Sequence, residues 1–284
     1  MSRGSSRTRT LGKSDNIVPK SVDTLPADAC RGLTGVLCDI DDTLTNEGRL
    51  KPAAFTALWA ARDAGLRVIP VTGRPAGWVD QIARIWPVDG VVGENGGLWF
   101  YHQDNKLHRS FMQGADEREY NRKRLLDVRK RILQRVPGAA VASDQPYREL
   151  DLAIDFCEDV SPLSEFDIQA IVREFTLMGA TCKVSSIHVN GWYGTFDKWV
   201  GCCRLVKELY GEELEETTNQ WVYFGDSAND EPMFQRFEHS IGVANVSAFL
   251  PLMDHHPAYI CSQKGGAGFA EGMEHILSHT TDRN

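Results

Sequence analysis

The chain has no apolar run approaching the ~20 residues needed to cross a bilayer, and no apolar signal-peptide core near Met1. It also lacks a C-x-x-C pair, an internal repeat and any low-complexity run. The first absences argue against a membrane-spanning helix or a secreted product. Seven cysteines without paired spacing read as small buried hydrophobes in a reducing cytoplasm, not as a disulfide framework. Surplus positive charge is missing too. A formal net charge of -8 argues against a generic nucleic-acid binder. It leaves an anionic substrate open, because a metal and a few local cations set the field inside a pocket. Asp254-His255-His256 has no second ligand cluster nearby and reads as an exposed loop before Pro257.

What is present is ordinary in bulk and specific in detail. A chain of 284 residues, 42% hydrophobic and 25% charged, can bury a sizeable core as one large or two smaller domains. Residues 1–29 carry Ser, Arg, Thr and Gly with almost no apolar periodicity, which predicts a disordered extension. From Leu33 the pattern alternates strand and helix: a strand at 35–38, a helix at 51–64, a strand at 67–72, a helix at 75–86 and a strand at 88–92. Such alternation implies βαβ units and a parallel sheet, whose ligands bind outside the carboxyl ends of the strands.

After Gly97 the rhythm changes. A strand at Leu98–Tyr101 precedes a charged helix over 115–136, with Leu125, Val128, Ile132, Leu133 and Val136 as its apolar stripe. Arg148–Cys157 alternates, Leu150, Leu152, Ile154 and Phe156 against Asp151, Ala153, Asp155 and Cys157, as expected of an antiparallel strand with one buried and one wet face. A helix over 161–178 and a strand over 181–189 complete a small α+β unit. The parallel pattern resumes at Lys198 and continues through strands at 221–226, 240–243 and 259–261 to a terminal helix.

The chemistry-bearing residues sit at strand ends. Asp39-Ile40-Asp41-Asp42-Thr43 follows the apolar run Gly35–Cys38, and two acids converging on one point repel unless a cation or proton lies between them. Cys38 lies inside that strand, which argues against a thiolate nucleophile. Val71-Thr72-Gly73-Arg74 ends the next strand with a hydroxyl and backbone N–H groups suited to phosphate oxygens. Lys198 opens a helix, and Phe224-Gly225-Asp226-Ser227-Ala228-Asn229-Asp230 ends a third strand with carboxylates on either side of a turn.

In this order, these four segments resemble the motifs of the haloacid dehalogenase-like phosphohydrolases, over about residues 33–275. The resemblance implies a Rossmann-like parallel-sheet core at 30–97 and 191–284, with an inserted α+β cap at 98–190 like that of subfamily IIB. It further implies Asp39 as nucleophile and Asp41 as acid and base. Asp39, the backbone carbonyl of Asp41, and Asp226 would ligate Mg2+. Thr72, Gly73 and Lys198 would hold the phosphoryl group, with Asp230 and Asn229 behind the metal. Thr43 is expected to shape its loop. Arg74 is left open between an ion pair and a substrate contact, and Asn95 between a turn former and a neighbour of the site. On the cap, His188 and Asn190 are expected to sort substrates, with Asp151 and Asp155 as further candidates and Trp192 as a surface for a sugar ring to stack on. The implied activity is hydrolysis of a small phosphorylated metabolite, a sugar phosphate foremost, with no nucleic-acid or membrane partner. A phosphomannomutase-like mutase and a catalytically silent binding protein are the alternatives.

Overall fold

A computed structural model of the chain describes residues 18–280. The core is a six-stranded parallel sheet in the order β1-β15-β14-β13-β2-β5. Along the chain, β1 (Lys20–Ser21) and α1 (Ala27–Gly32) lead into β2 (Gly35–Cys38). A hairpin of β3 (Thr45–Asn46) and β4 (Arg49–Leu50) follows, then α2 (Pro52–Asp63), β5 (Arg67–Pro70) and α3 (Ala76–Ile85). Strand alternation divides the core into two layers. Val36, Val68, Val222 and Phe224 pack with Leu58, Phe269 and Met273 on one face. Leu37, Ile69, Trp221 and Tyr223 pack with Trp199 and Leu205 on the other.

Next come β6 (Val91–Gly93), β7 (Leu98–Gln103) and β8 (Lys106–Phe111), an antiparallel group joined to the core sheet by a parallel bridge between Val71 and Val92. Leu98 and Phe100 belong to one core layer, and Trp99 and Tyr101 to the other. Packing therefore places β7 and β8 with the core, and the change of unit falls near Gly114 instead of at residue 98.

The second unit contains α4 (Ala115–Arg135), β9 (Ala140–Val141), β10 (Asp151–Asp155), α5 (Glu165–Leu177), β11 (Thr181–Val184) and β12 (His188–Trp192). Its antiparallel sheet runs β11-β12-β10-β9. Leu125, Val128 and Ile132 of α4 meet Leu152, Ile154, Ile171 and Phe175 in a separate core. Leu133 of the expected stripe is exposed. The single strand expected over 181–189 is a hairpin, because the Ser185 hydroxyl accepts from the N–H groups of Ile187 and His188 and turns the chain there. The chain then re-enters the core with α6 (Lys198–Tyr210), β13 (Trp221–Gly225), α7 (Glu231–Phe234), β14 (His239–Gly242), β15 (Tyr259–Ile260) and α8 (Gly265–Ser278).

Two expectations need correction. Residues 18–29, assigned by sequence to a disordered extension, are part of the fold. β1 pairs in parallel with β15, and Val22 and Leu25 are buried; residues 1–17 of that extension lie outside the described residues. The supposedly wet face of β10 is also buried, with Asp151 and Asp155 at 3% and 1% exposure. Alternation told the two faces apart correctly, but the polar one is closed down over the core.

Candidate active site

The carboxyl ends of β2, β5 and β13 point into one cleft, which is why residues far apart in sequence meet there. Asp39 continues β2, its N–H bonding the Phe224 carbonyl at 2.9 Å. Lys198 reaches it from the first turn of α6, a helix started by Asp197, whose carboxylate accepts from the Val200 N–H at 2.9 Å. The Lys198 ammonium donates to Asp39 Oδ1 at 2.9 Å and to Asp230 Oδ1 at 2.8 Å. Gly96 makes that approach possible. Its φ is +97°, and a Cβ there would lie 1.8 Å from the Asp197 carbonyl oxygen.

Asp39, Asp226 and Asp230 each bring a carboxylate oxygen within 4.8 Å of the others. All three are buried, with a single lysine among them. Burial pushes the Asp39 carboxyl up to about 7 against the pull of Lys198, and the charges of Asp230 and Asp41 add to the rise. Asp226 is pushed up further, again chiefly by burial and then by Asp230 and Asp39. Such a cluster calls for a cation. An all-oxygen donor set suits a hard divalent ion, so the residues present fit Mg2+.

Hydrogen bonds separate the roles of the three acids. Asp230 Oδ1 accepts from Lys198 and, at 2.5 Å, from the Tyr223 hydroxyl; its Oδ2 accepts from the N–H groups of Asp226 and Ser227. Both oxygens are committed, so Asp230 positions its neighbours. Among the described residues Asp226 takes one long bond, from the Thr43 hydroxyl at 3.4 Å, and Asp39 Oδ2 takes none, which leaves these two acids for a ligand. Asn229 accepts from the Ser227 hydroxyl at the rim.

Asp41 stands apart from that cluster and faces Arg74, whose Nε and Nη2 donate to its carboxylate at 2.9–3.1 Å. Asp42 adopts φ +58° in the turn after β2, and its carbonyl accepts from Asn245 Nδ2 at 2.7 Å. Thr72 is buried, and its Oγ1 accepts from the Arg74 N–H at 3.0 Å, leaving its own proton to give. Gly73 has the Asn95 side chain 3.2 Å from where a Cβ would stand, so this backbone can lie open to the cleft only without a side chain.

The antiparallel sheet forms the roof. Its register sets Asp151 opposite Trp192, Ala153 opposite Asn190, and Asp155 opposite His188, all on one face. His188 and Asn190 line the same cleft as Asp39, Asp41 and Asp226. Asn190 Nδ2 donates to Asp151 at 2.9 Å, and His188 Nε2 lies 2.9 Å from Glu158. Asp155 serves its own loop, accepting from the N–H groups of Cys157, Glu158 and Asp159. Trp192 is buried and stacked on Phe196, centroids 5.5 Å apart. It does not line this cleft, so the expected sugar-stacking surface is covered.

Arg74, left open by sequence, and three charged residues that sequence did not single out, Glu158, Arg148 and Glu94, shape the site. Arg74 also reaches Glu158 at 3.1 Å, linking the acid Asp41 to the roof. Arg148, fully buried, is held by Asp144 and Asp151 and donates to the Gly73 carbonyl at 2.9 Å. Glu94 accepts from four backbone N–H groups, those of Ala76, Glu149, Leu150 and Asp151. Burial and the Asp151 charge push its carboxyl upward. Four donors leave neither oxygen free to carry a proton, so this pocket is built for the anion. The spacing Asp144-x-x-x-Arg148-x-x-Asp151 and the Gly93–Gly97 loop were the available signals.

The model of the haloacid dehalogenase-like hydrolase family matches residues 36–120. A phosphoglycolate phosphatase from Methanobrevibacter smithii is 24% identical over 256 residues, 86% of this chain and 99% of that protein. One from Thermoplasma acidophilum is 27% identical over 69% of this chain and 79% of its own length. Among solved structures, a Thermoplasma acidophilum protein superposes with a TM-score of 0.67 at 19% identity, covering 86% of this chain and 98% of that one. The sucrose-phosphatase of Synechocystis, solved with sucrose and phosphate, gives 0.60 at 15% identity over 87% and 98%. Both share the fold, core and roof alike. With the strand-end carboxylates and the lysine in place, residues 36–120 match the haloacid dehalogenase-like hydrolases, and the chain as a whole is similar to phosphatases of that kind.

Proposed function

We propose that the protein hydrolyses a compact phosphate monoester with Mg2+, through an aspartyl-phosphate on Asp39. The observation that carries this reading is the cluster of Asp39, Asp226 and Asp230 around a single lysine. Asp39, Asp226 and the Asp41 carbonyl would hold the ion, which supplies charge neutralisation for an anionic nucleophile approaching an anionic phosphoryl group.

Lys198 fixes Asp39 through Oδ1, leaving Oδ2 to attack phosphorus in line. As the ester P–O bond breaks, Asp41 gives its proton to the departing oxygen. Asp41 then takes a proton from water, whose oxygen attacks the same phosphorus; the bond to Asp39 breaks and phosphate leaves. Thr72, the Gly73 N–H and Lys198 would stabilise the phosphoryl oxygens.

For the substrate, the relatives named phosphoglycolate phosphatase support a small phosphorylated acid, and the cleft has free space of only about 30 Å3. A sugar phosphate is the second reading, supported by the fold shared with a sucrose-phosphatase. A mutase would need several free cations on the roof to reorient a bisphosphate, and Arg148, spent on Asp144 and Asp151, is not one of them. Seven unpaired cysteines support a reducing cytoplasm, and no helix among the described residues is long and apolar enough to cross a membrane. Phosphate release from phosphoglycolate, glucose 6-phosphate and phenyl phosphate, with Mg2+ and with excess EDTA, tests the reading. Turnover that survives EDTA would refute it.

A further inference from the structure

Beside the main cleft lies a second cavity of about 50 Å3, bordered by Asn95, Trp192, Lys183 and Lys198 and walled by Trp199 and Met233. Asn95 and Asn229 border both spaces, so the two adjoin. The side cavity is unusual in its donors. Asn95 Nδ2 and the Trp192 indole N–H are both buried, and neither meets an acceptor. Their residues are 8% and 1% exposed. Leaving a buried N–H unpaired is costly, so two of them bordering one cavity mark a place where something else accepts.

The sheet register brings a charge to the same place. Trp192 and Lys183 lie on adjacent strands with Asn190 opposite Lys183, which puts all three on the face turned to the core. Lys183 has no ion-pair partner among the described residues. The acid at this cavity, Asp197, is occupied as the cap of α6. Two neutral donors and an ammonium, with the cavity's one carboxylate turned to its own helix, suit an anion. A carboxylate can take several such bonds and brings no proton that needs a home, whereas a sugar hydroxyl does. The space is large enough for a few waters or one carboxylate.

We propose that Asn95, Trp192 and Lys183 form a subsite for a carboxylate on the leaving group of the substrate. This rests on the phosphatase reading above and deepens it. It also gives Trp192 a specificity role through its N–H, not through the ring face that Phe196 covers.

The test compares phosphoglycolate with ethyl phosphate, the same two-carbon ester without the carboxylate, with phenyl phosphate as reference. Trp192→Phe removes the donor and keeps an aromatic ring; Lys183→Met alters an exposed residue that the fold does not need. Wild-type enzyme should prefer phosphoglycolate to ethyl phosphate in kcat/KM. Each variant should shrink that preference roughly ten- to a hundredfold, the worth of one hydrogen bond to a charged group, with most of the change in KM for phosphoglycolate. A wild-type enzyme with no preference overturns the subsite. So does a preference unchanged in both variants, which would mean that the two N–H groups meet only water. Equal loss on all three esters overturns it as well, since that places the residues in the fold. If wild-type enzyme releases no phosphate even from phenyl phosphate, the phosphatase reading falls and takes the subsite with it.

Discussion

In the parallel core the working side chains leave the ends of strands; in the antiparallel roof they stand on its face. The difference governs how each half of the site is built. A strand end needs only a short local stretch to place its residue, and Asp39, Thr72 and Asp226 each come after three to five buried strand residues. A sheet face needs register. His188, Asn190 and Trp192 share a side with Asp151 through a pairing made across dozens of residues, and with Lys183 through a hairpin. One half therefore carries chemistry in rigid positions, and the other can exchange side chains without disturbing it.

The largest effects should fall on the core half. Asp39→Asn should lower turnover by about 10^4-fold or more while the thermal midpoint barely moves. Asp41→Asn should cost roughly 10^2–10^4-fold and leave an aspartyl-phosphate detectable by rapid quench and mass spectrometry. Comparable turnover in the Asp39 variant would erase the contrast with the roof, because the core would then hold no indispensable group.

A second test strikes the joint between the halves. Glu94 ties the start of α3 to the first residues of β10 through N–H groups on both. Glu94→Gln would aim an amide NH2 at two of these donors and should cost about 2–4 kcal/mol of stability, read from urea midpoints. A loss under about 0.5 kcal/mol would show that the halves meet without this carboxylate.

The smallest effect belongs to the roof contact at Glu158. The His188 ring, 2.9 Å away, holds its carboxyl down to about 2, helped by Arg74 and opposed by partial burial. A depressed carboxyl contributes stability that is complete above its ordinary value near 4.5 and fades as pH falls towards 2. Wild-type stability should thus decline across that window, and Glu158→Gln should flatten part of the decline. Identical slopes would detach this contact from the closure of the roof.

These two modes of construction also explain what could be read from the sequence. The Asp39–Thr43 loop, the strand-end threonine, Lys198 and the Asp226–Asp230 turn were legible because each is contiguous and stands at the end of an apolar run or the start of a helix. Polarity along β10 was legible too, but whether Asp151 met water or Arg148 was not, since that depends on how far the roof has closed. Trp192 was misassigned for the same reason: an aromatic on a polar face looks available until Phe196 is placed against it. Arg74 was left open and Glu94 was passed over because charged residues near turns are common, and only their partners, up to 84 residues away, reveal them.

One further consequence follows from β1. Its two residues occupy the outer side of β15, the flank at which the core sheet would otherwise offer a bare row of backbone groups to any passing strand. So short a strand cannot template a stranger, and it leaves little for one to grip. The other flank is continued through Val71 and Val92 into the β6–β8 group. A chain beginning at Ala29 would keep every catalytic side chain and lose this guard, along with the buried Val22 and Leu25. Its failing would be self-association on storage or warming, with the chemistry of each surviving molecule intact.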